Sequence, residues 1–280
     1  MQWGIAALIT LLCLIVSPFS AAPATPPNLC AIDRPSDKLI EWECRAIERG
    51  ETTKSVFGAS WQEGLRFNRM DQRHFVAGMS LKVPVNPEEL ASYIPMPASY
   101  PEAESEPKFI LLDLAEQYLG AYEYGRLAFS LPVATGQEGI ETPSGEFRID
   151  AYDRNHSSNL YNIEELNVPY PMFYALRFYI DSKYVAYWIH GRDMPGFAAS
   201  HGCIGLSNER MQKRYYHEPR RPVLEDARRL YEWVLGPVKD DGRFHRLKDG
   251  PRLLIVNEPS VLIDPQGTNS GNGLSDSSGD

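Results

Sequence analysis

Ile189-His190-Gly191 and, a short way on, Ser200-His201-Gly202-Cys203-Ile204 are the stretch on which the reading of this chain turns. Two histidines and a thiol fall close together, with glycines beside them that let the backbone approach a bound molecule. A thiol is a strong nucleophile only as the thiolate, and a nearby imidazole is the usual means of making it one. The bland alternative is a buried, inert cysteine. The flanking histidines favour a nucleophile. The apolar run Tyr184 to Ile189 reads as a strand with His190 at its end, a rigid base for a reactive side chain.

Cysteine counting points the same way. The chain has four Cys, at 13, 30, 44 and 203. Cys13 lies in the apolar run Ile5 to Val16, which reads as the core of a secretory signal peptide, residues 1–24. Ala22-Pro23-Ala24 supplies a small-x-small cleavage site. The segment before the run carries no Lys or Arg, so an uncleaved N-terminal anchor is the alternative. Cys30 and Cys44 could close a small disulfide loop, leaving Cys203 as the odd thiol of an exported protein.

The 280 residues carry a net charge of -9 and are 43% hydrophobic. That suits a globular core and argues against nucleic acid as a partner. After signal removal no stable membrane span is expected. Residues 25–38 read as an unstructured leader. The segment 86–107, with Pro87, Pro95, Pro97, Pro101 and Pro107 among several Glu, reads as an extended linker. The Gly, Ser, Asn and Asp-rich tail 259–280 reads as disordered.

Two folded pieces remain. In 39–85, Ser60 to Phe67 suits a short helix and Phe75 to Pro84 a loop and strand bent at Gly78. In 108–258, strands are expected at Phe109–Leu114, Gln117–Tyr124, Leu127–Ala134, Glu146–Ile149, Ala175–Tyr179, Tyr184–Ile189 and Arg252–Val256. Helices are expected at Asn208–Tyr216 and Leu224–Leu235, the second stopped by Gly236-Pro237.

The first piece resembles a divergent LysM module through Glu48-Arg49-Gly50-Glu51-Thr52, Asn68 and Ala77-Gly78-Met79-Ser80-Leu81-Lys82-Val83-Pro84. The resemblance implies a βααβ fold that binds N-acetylglucosamine-containing glycans; the alternative is a small packing domain that binds nothing. The second piece resembles the YkuD-type L,D-transpeptidase catalytic domain. The matching residues are Leu112-Asp113-Leu114, Gln117, Gly125, Pro132-Val133-Ala134-Thr135-Gly136, Thr142-Pro143-Ser144-Gly145-Glu146-Phe147 and the two opening motifs. This implies a mainly β, sandwich-like domain with a few helices (α+β). It also implies an enzyme of the cell envelope or periplasm that acts on peptidoglycan stem peptides, and on glycan strands if the first piece binds them. Such enzymes cut after the diamino acid at position three, release D-Ala, and pass the acyl group to an amine or to water.

On that resemblance Cys203 is the nucleophile and His190 its base, oriented by the Gly191 carbonyl rather than by a carboxylate. Amide cleavage also needs donors for an oxyanion, for which the backbone N–H groups of Gly202 and Cys203 are expected. His201 is an auxiliary toward the substrate, Ser200 fixes the turn, and Arg192 is a substrate contact. Tyr174 or Tyr187 is a phenolic donor by position alone. Thr142-Pro143-Ser144-Gly145 reads as a structural turn, and Trp188 as core. His156, His217 and His245 fall in no pattern. No metal or other cofactor is expected, since a zinc site needs three or four ligands at recognisable spacings.

Two features depart from the family pattern. Gly205 stands where most members have Arg, a loss that Arg192 or Arg210 could offset. The span from His190 to Cys203 is also shorter than usual. Both leave nucleophile and base in place but leave the acceptor open. The readings are therefore a transpeptidase, an L,D-carboxypeptidase or amidase, or a catalytically idle wall-binding protein.

Overall fold

The computed structural model describes residues 26–163 and 166–257. The expected signal peptide with Cys13, and the expected disordered tail, lie outside the described residues.

The N-terminal unit is a two-stranded antiparallel sheet with two short helices between its strands. The strands are β1 (Trp42–Ala46) and β2 (Ser80–Pro84), paired from Trp42 opposite Pro84 to Ala46 opposite Ser80. The helices are α1 (Thr53–Phe57) and α2 (Trp61–Phe67). Helix α1 starts where Thr52 and Ser55 cap each other: Ser55 N donates to Thr52 Oγ1 at 3.1 Å and Thr52 N to Ser55 Oγ at 2.8 Å. Phe57, Leu65, Met79 and Leu81 fill the small core. The loop and strand expected over 75–84 are realised, with Gly78 turning the chain at φ +89° just before β2.

Residues 26–38 are not a free leader in this structure. Leu29 is part of the core, Ser36 is buried, and a Cys30–Cys44 disulfide ties the segment to β1. The sequence signal was misleading because Pro-rich segments favour extended backbone whether or not tertiary contacts hold them.

The second unit is a sandwich of two five-stranded sheets. One is ordered β5 (Arg126–Pro132), β4 (Tyr118–Glu123), β3 (Phe109–Asp113), β14 (Arg252–Val256), β6 (Gly145–Arg148). The other is ordered β12 (Ile204–Ser207), β11 (Ala186–Arg192), β10 (Ala175–Ile180), β7 (Ala151–Asp153), β13 (His245–Arg246). A separate ribbon, β8 (Ser157–Ile163) with β9 (Val168–Pro171), and helices α3 (Glu209–Tyr216) and α4 (Asp226–Leu235) complete it. The class is mainly β with a few helices, as the sequence implied.

Alternation along the strands shows why two layers form. Ile110 and Leu112 of β3, with Leu253 and Ile255 of β14, face Leu176, Ile189, Ile204 and Leu206 of the other sheet. The intervening Phe109 and Leu111 face outward yet are buried, because the segment 86–107 covers them. That segment is a strap rather than a free linker: Met96 and Ala103 are buried on the sheet. Tyr100 N donates to Gly125 O at 2.7 Å, and Leu127 N to Ala98 O at 3.0 Å. This covering explains why β3 reads as an unbroken apolar run.

The two units meet through buried charge. Arg69 and Glu116 are 0% and 1% exposed, with Arg69 Nη2 and Glu116 Oε2 3.0 Å apart. Ser36 Oγ donates to the same Oε2 at 2.6 Å. A second pair, Arg66 with Asp226 at 2.7 Å, ties α2 to the start of α4.

Candidate active site

The site is built on one parallel strand pair. β11 and β12 run with Ile189 opposite Ile204, His190 opposite Gly205 and Gly191 opposite Leu206. Continuing that register backward puts Cys203 beside Trp188. Since residues two apart share a face, Trp188, His190 and Cys203 belong to one side of the sheet. Cys203 packs accordingly against the cluster of Met172, Ala175 and Trp188, with Tyr170 on the same cluster. Strand pairing, not separation along the chain, sets the segments that carry the thiol and the imidazole side by side.

His190 is 4% exposed. Its Nδ1 lies 2.9 Å from Gly191 O. A carbonyl only accepts, so Nδ1 carries the proton and Nε2 keeps its lone pair. Burial pushes the imidazole down to about 3, against the pull of the Gly191 bond; the charge of Arg192 adds to the lowering. Burial likewise pushes the Cys203 thiol up, opposed by a backbone bond from Trp188 and by Arg192. At neutral pH the resting pair is a thiol and a neutral imidazole, not an ion pair. The imidazole is thus neutral with Nε2 unprotonated, and burial opposes its protonated form.

The turn carrying Cys203 is clamped from several sides. Ser200 Oγ donates to Cys203 O at 2.5 Å and accepts from Gly202 N at 3.1 Å. Ala199 N and Ser200 N both donate to Thr135 O, at 3.0 and 2.9 Å. Thr142 Oγ1 donates to Gly202 O and accepts from Gly136 N, both at 2.9 Å. The motif around Thr135-Gly136 and Thr142 therefore works as a brace for the turn. Gly202 has φ +101°, and a Cβ there would sit 2.6 Å from Tyr187 Cε1, so only glycine fits.

Several expected site residues stand differently from the sequence reading. The Gly202 N–H already has Ser200 Oγ as acceptor, so an oxyanion would compete for it; Cys203 N–H is the other candidate donor. Tyr174 is set against helix α4. It packs edge-on against Tyr231 of α4 at 5.6 Å and lines a separate cavity of about 330 Å³ with Arg154, Arg210 and Arg214. A φ of +58° at Tyr174 turns the backbone just before β10. Tyr187, the other candidate phenol, lies against the turn that carries Cys203. His201 is exposed and stacks on Tyr161 of the β8–β9 ribbon, with ring centroids 4.3 Å apart.

Arg192 explains Gly205. A Cβ at Gly205 would lie 1.9 Å from Arg192 Cδ and 2.2 Å from Cγ, so the arginine side chain crosses the bare glycine. Its Nε donates to Asp193 O at 3.1 Å and its Nη2 to Ala199 O at 3.2 Å. Of the two arginines considered as replacements, Arg192 is at the site and Arg210 lines the other cavity.

Pattern-based reading missed His156. Its ring packs on Trp188 at 4.3 Å between centroids, and its charge adds to the lowering at His190. Nothing in its local sequence signals this, since strand pairing alone brings it there. His245 pairs with Asp241 at 2.8 Å, and His217 ends α3 at φ +63°. Among the described residues no group of three or more His, Cys, Asp or Glu could hold a metal ion, and no helix is long and apolar enough to cross a membrane.

The family described as the L,D-transpeptidase catalytic domain, YkuD, matches residues 107–255, more than half of the chain, and the chain belongs to that family. Among solved structures it is similar to an L,D-transpeptidase from Xylanimonas cellulosilytica, with 20% identity over 76% of this chain and 98% of that one, and a TM-score of 0.41. It is similar also to those from Stackebrandtia nassauensis (22%, covering 55% and 58%, TM-score 0.35) and Mycobacterium tuberculosis (16%, 54% and 58%, TM-score 0.35). The chain thus spans 58% of the mycobacterial chain. No curated protein sequence matches it.

Proposed function

We propose that this protein is an exported, cysteine-dependent L,D-transpeptidase of peptidoglycan stem peptides. The observation that carries the reading is the shared sheet face of Cys203 and His190, with Nδ1 held on Gly191 O so that Nε2 is a free base. In the first half-reaction Nε2 takes the Cys203 proton as sulfur attacks the carbonyl of the stem diamino acid. Cys203 N–H faces the developing oxyanion. Collapse breaks the C–N bond, and the proton on Nε2 passes to the departing D-Ala amine. The thioester is then taken by an amine of a second stem or of a protein, with the same imidazole removing its proton. Arg192 supplies the cation that most members place at the position of Gly205, and it orients a donor carboxylate. The Cys30–Cys44 disulfide supports an oxidising compartment. The N-terminal unit acts as a LysM-like module beside glycan.

The test is incubation of the purified protein with tetrapeptide muropeptides and mass spectrometry of the products. Dimers that have lost D-Ala support transfer to an amine. Shortened monomers alone would mean that water is the acceptor. Product from Cys203→Ala at the wild-type rate would refute the mechanism.

A further inference from the structure

The loop between the two site motifs belongs, by its contacts, to the N-terminal unit. Asp193 faces Arg73 at 3.6 Å. Met194 is fully buried; its N donates to Asp71 Oδ2 at 2.7 Å, and its O accepts from Asp71 N at 3.0 Å. Pro195 makes a β-bridge with Met70. Gly196 O accepts from Arg34 Nη2 at 2.8 Å, and a Cβ at Gly196 would lie 2.5 Å from Leu29 Cδ1. Phe197 packs on the core of the N-terminal unit. Asp193 to Gly196 are thus gripped by residues 29–73 and Phe197 packs on the adjoining core, while Arg192 and Ala199 lie at the loop's two ends.

We infer that the N-terminal unit templates the active-site loop, with Asp71 as the positioning residue that sets Arg192. Deepening the proposed function, this gives the unit a part in the catalytic site independent of any glycan binding. Asp71 is fully buried, and both carboxylate oxygens are engaged. Oδ1 accepts from His74 N at 3.1 Å and pairs with His74 Nδ1 at 2.7 Å. Oδ2 accepts from Met194 N and, at 2.5 Å, from Gln212 Nε2 of α3. One buried carboxylate therefore joins the N-terminal unit, the loop and α3. Bonds of this charge-assisted kind are the stronger ones, and removing such an acceptor leaves buried donors unpaired. The loop has little regular structure of its own to hold its shape without them. Asp71 itself touches no reacting atom; it acts through Met194 on the backbone that presents Arg192 and Ala199 O, the acceptor of Arg192 Nη2.

The experiment uses the full chain with Asp71→Ala and Asp71→Asn, reading hydrogen exchange over 192–199 and, separately, kinetics with a tetrapeptide muropeptide. For Asp71→Ala the Met194 amide should exchange at least about tenfold faster, with the β3–β4 core unchanged. KM for the donor should rise by about tenfold with kcat changed less, and alkylation of Cys203 by iodoacetamide should stay near wild type. Asp71→Asn can keep an oxygen toward Met194 N and should recover part of both effects. Wild-type exchange at 192–199 in Asp71→Ala would overturn the inference whatever the enzyme does. So would equal loss of kcat, alkylation and thermal stability, the mark of a general folding defect. If the wild-type protein turns over no muropeptide, the functional reading fails while the exchange result still decides the templating.

Discussion

Replacing Gly205 with alanine tests how the site carries its cation. One added methyl would put Cβ 1.9 Å from Arg192 Cδ and 2.2 Å from Cγ, far inside contact distance. These atoms lie midway along the side chain, so Arg192 must leave its place rather than bend its tip. It then gives up the bonds from Nε to Asp193 O and from Nη2 to Ala199 O. Arg192 is only half-buried, which argues for the low end of the usual range, about 1 kcal/mol for each bond. A loss of about 2 kcal/mol in orienting the donor corresponds to about a 30-fold fall in kcat/KM. The backbone at Gly205 lies within a regular strand pair, so the fold should tolerate the change. The assay is single-turnover acylation of Cys203 by a donor muropeptide, followed by mass spectrometry, with iodoacetamide alkylation as the control for an intact thiol. Arg192→Ala should fall by a similar factor, and the double variant no further, because both changes remove one guanidinium. Wild-type acylation in Gly205→Ala would refute the reasoning. So would separate losses that multiply in the double variant. Gly205→Arg restores a cation from the neighbouring strand; it should alter donor or acceptor preference more than thioester formation, and an equal loss of both steps would remove Gly205 as a determinant of specificity.

Two further outcomes follow from the site's hydrogen bonds and charges. His190 is held at about 3 when folded, against an ordinary 6.5; between those values the unfolded chain binds a proton that the folded chain does not, so its contribution to stability is full above about pH 6.5 and is lost as pH falls toward 3. Unfolding followed by denaturant across pH 3 to 8 should show a shallower loss on acidification in His190→Gln than in wild type, by on the order of a few kcal/mol, and identical slopes would contradict a buried neutral imidazole. Thr142→Val removes the hydroxyl that joins Gly136 N to Gly202 O; it should destabilise by about 1–3 kcal/mol and slow Cys203 alkylation, and an unchanged alkylation rate would show that the nucleophile's turn does not depend on this brace.

Some of this was legible in the residues themselves. The run of strand-forming residues Phe109-Ile110-Leu111-Leu112 marks a strand. The helix expected over Asn208–Tyr216 is α3, which Asn208 caps by accepting from Met211 N at 3.0 Å. The brace at Thr142 was readable as a turn. Tyr174 was not, because position beside a strand does not say which sheet face or helix the ring meets. The strap 86–107 read as a linker because proline content reports backbone preference and says nothing about what surface lies beneath it.

The sequence by itself singled out the candidate thiol and imidazole and the strand-rich character of the second piece, and the resemblance implied the sandwich. Cys203 and His190 stand out through their immediate neighbours, and strand-forming composition is likewise a property of neighbouring residues. Only the tertiary structure decided how the pair is completed: the shared face set by parallel register, the imidazole left neutral by burial, Arg192 lying across Gly205, and the loop gripped through Asp71. These join residues far apart in the chain, on surfaces that exist only after the two sheets and the N-terminal unit have closed on one another. Their energetics come from burial and unpaired donors, which no spacing along the chain encodes.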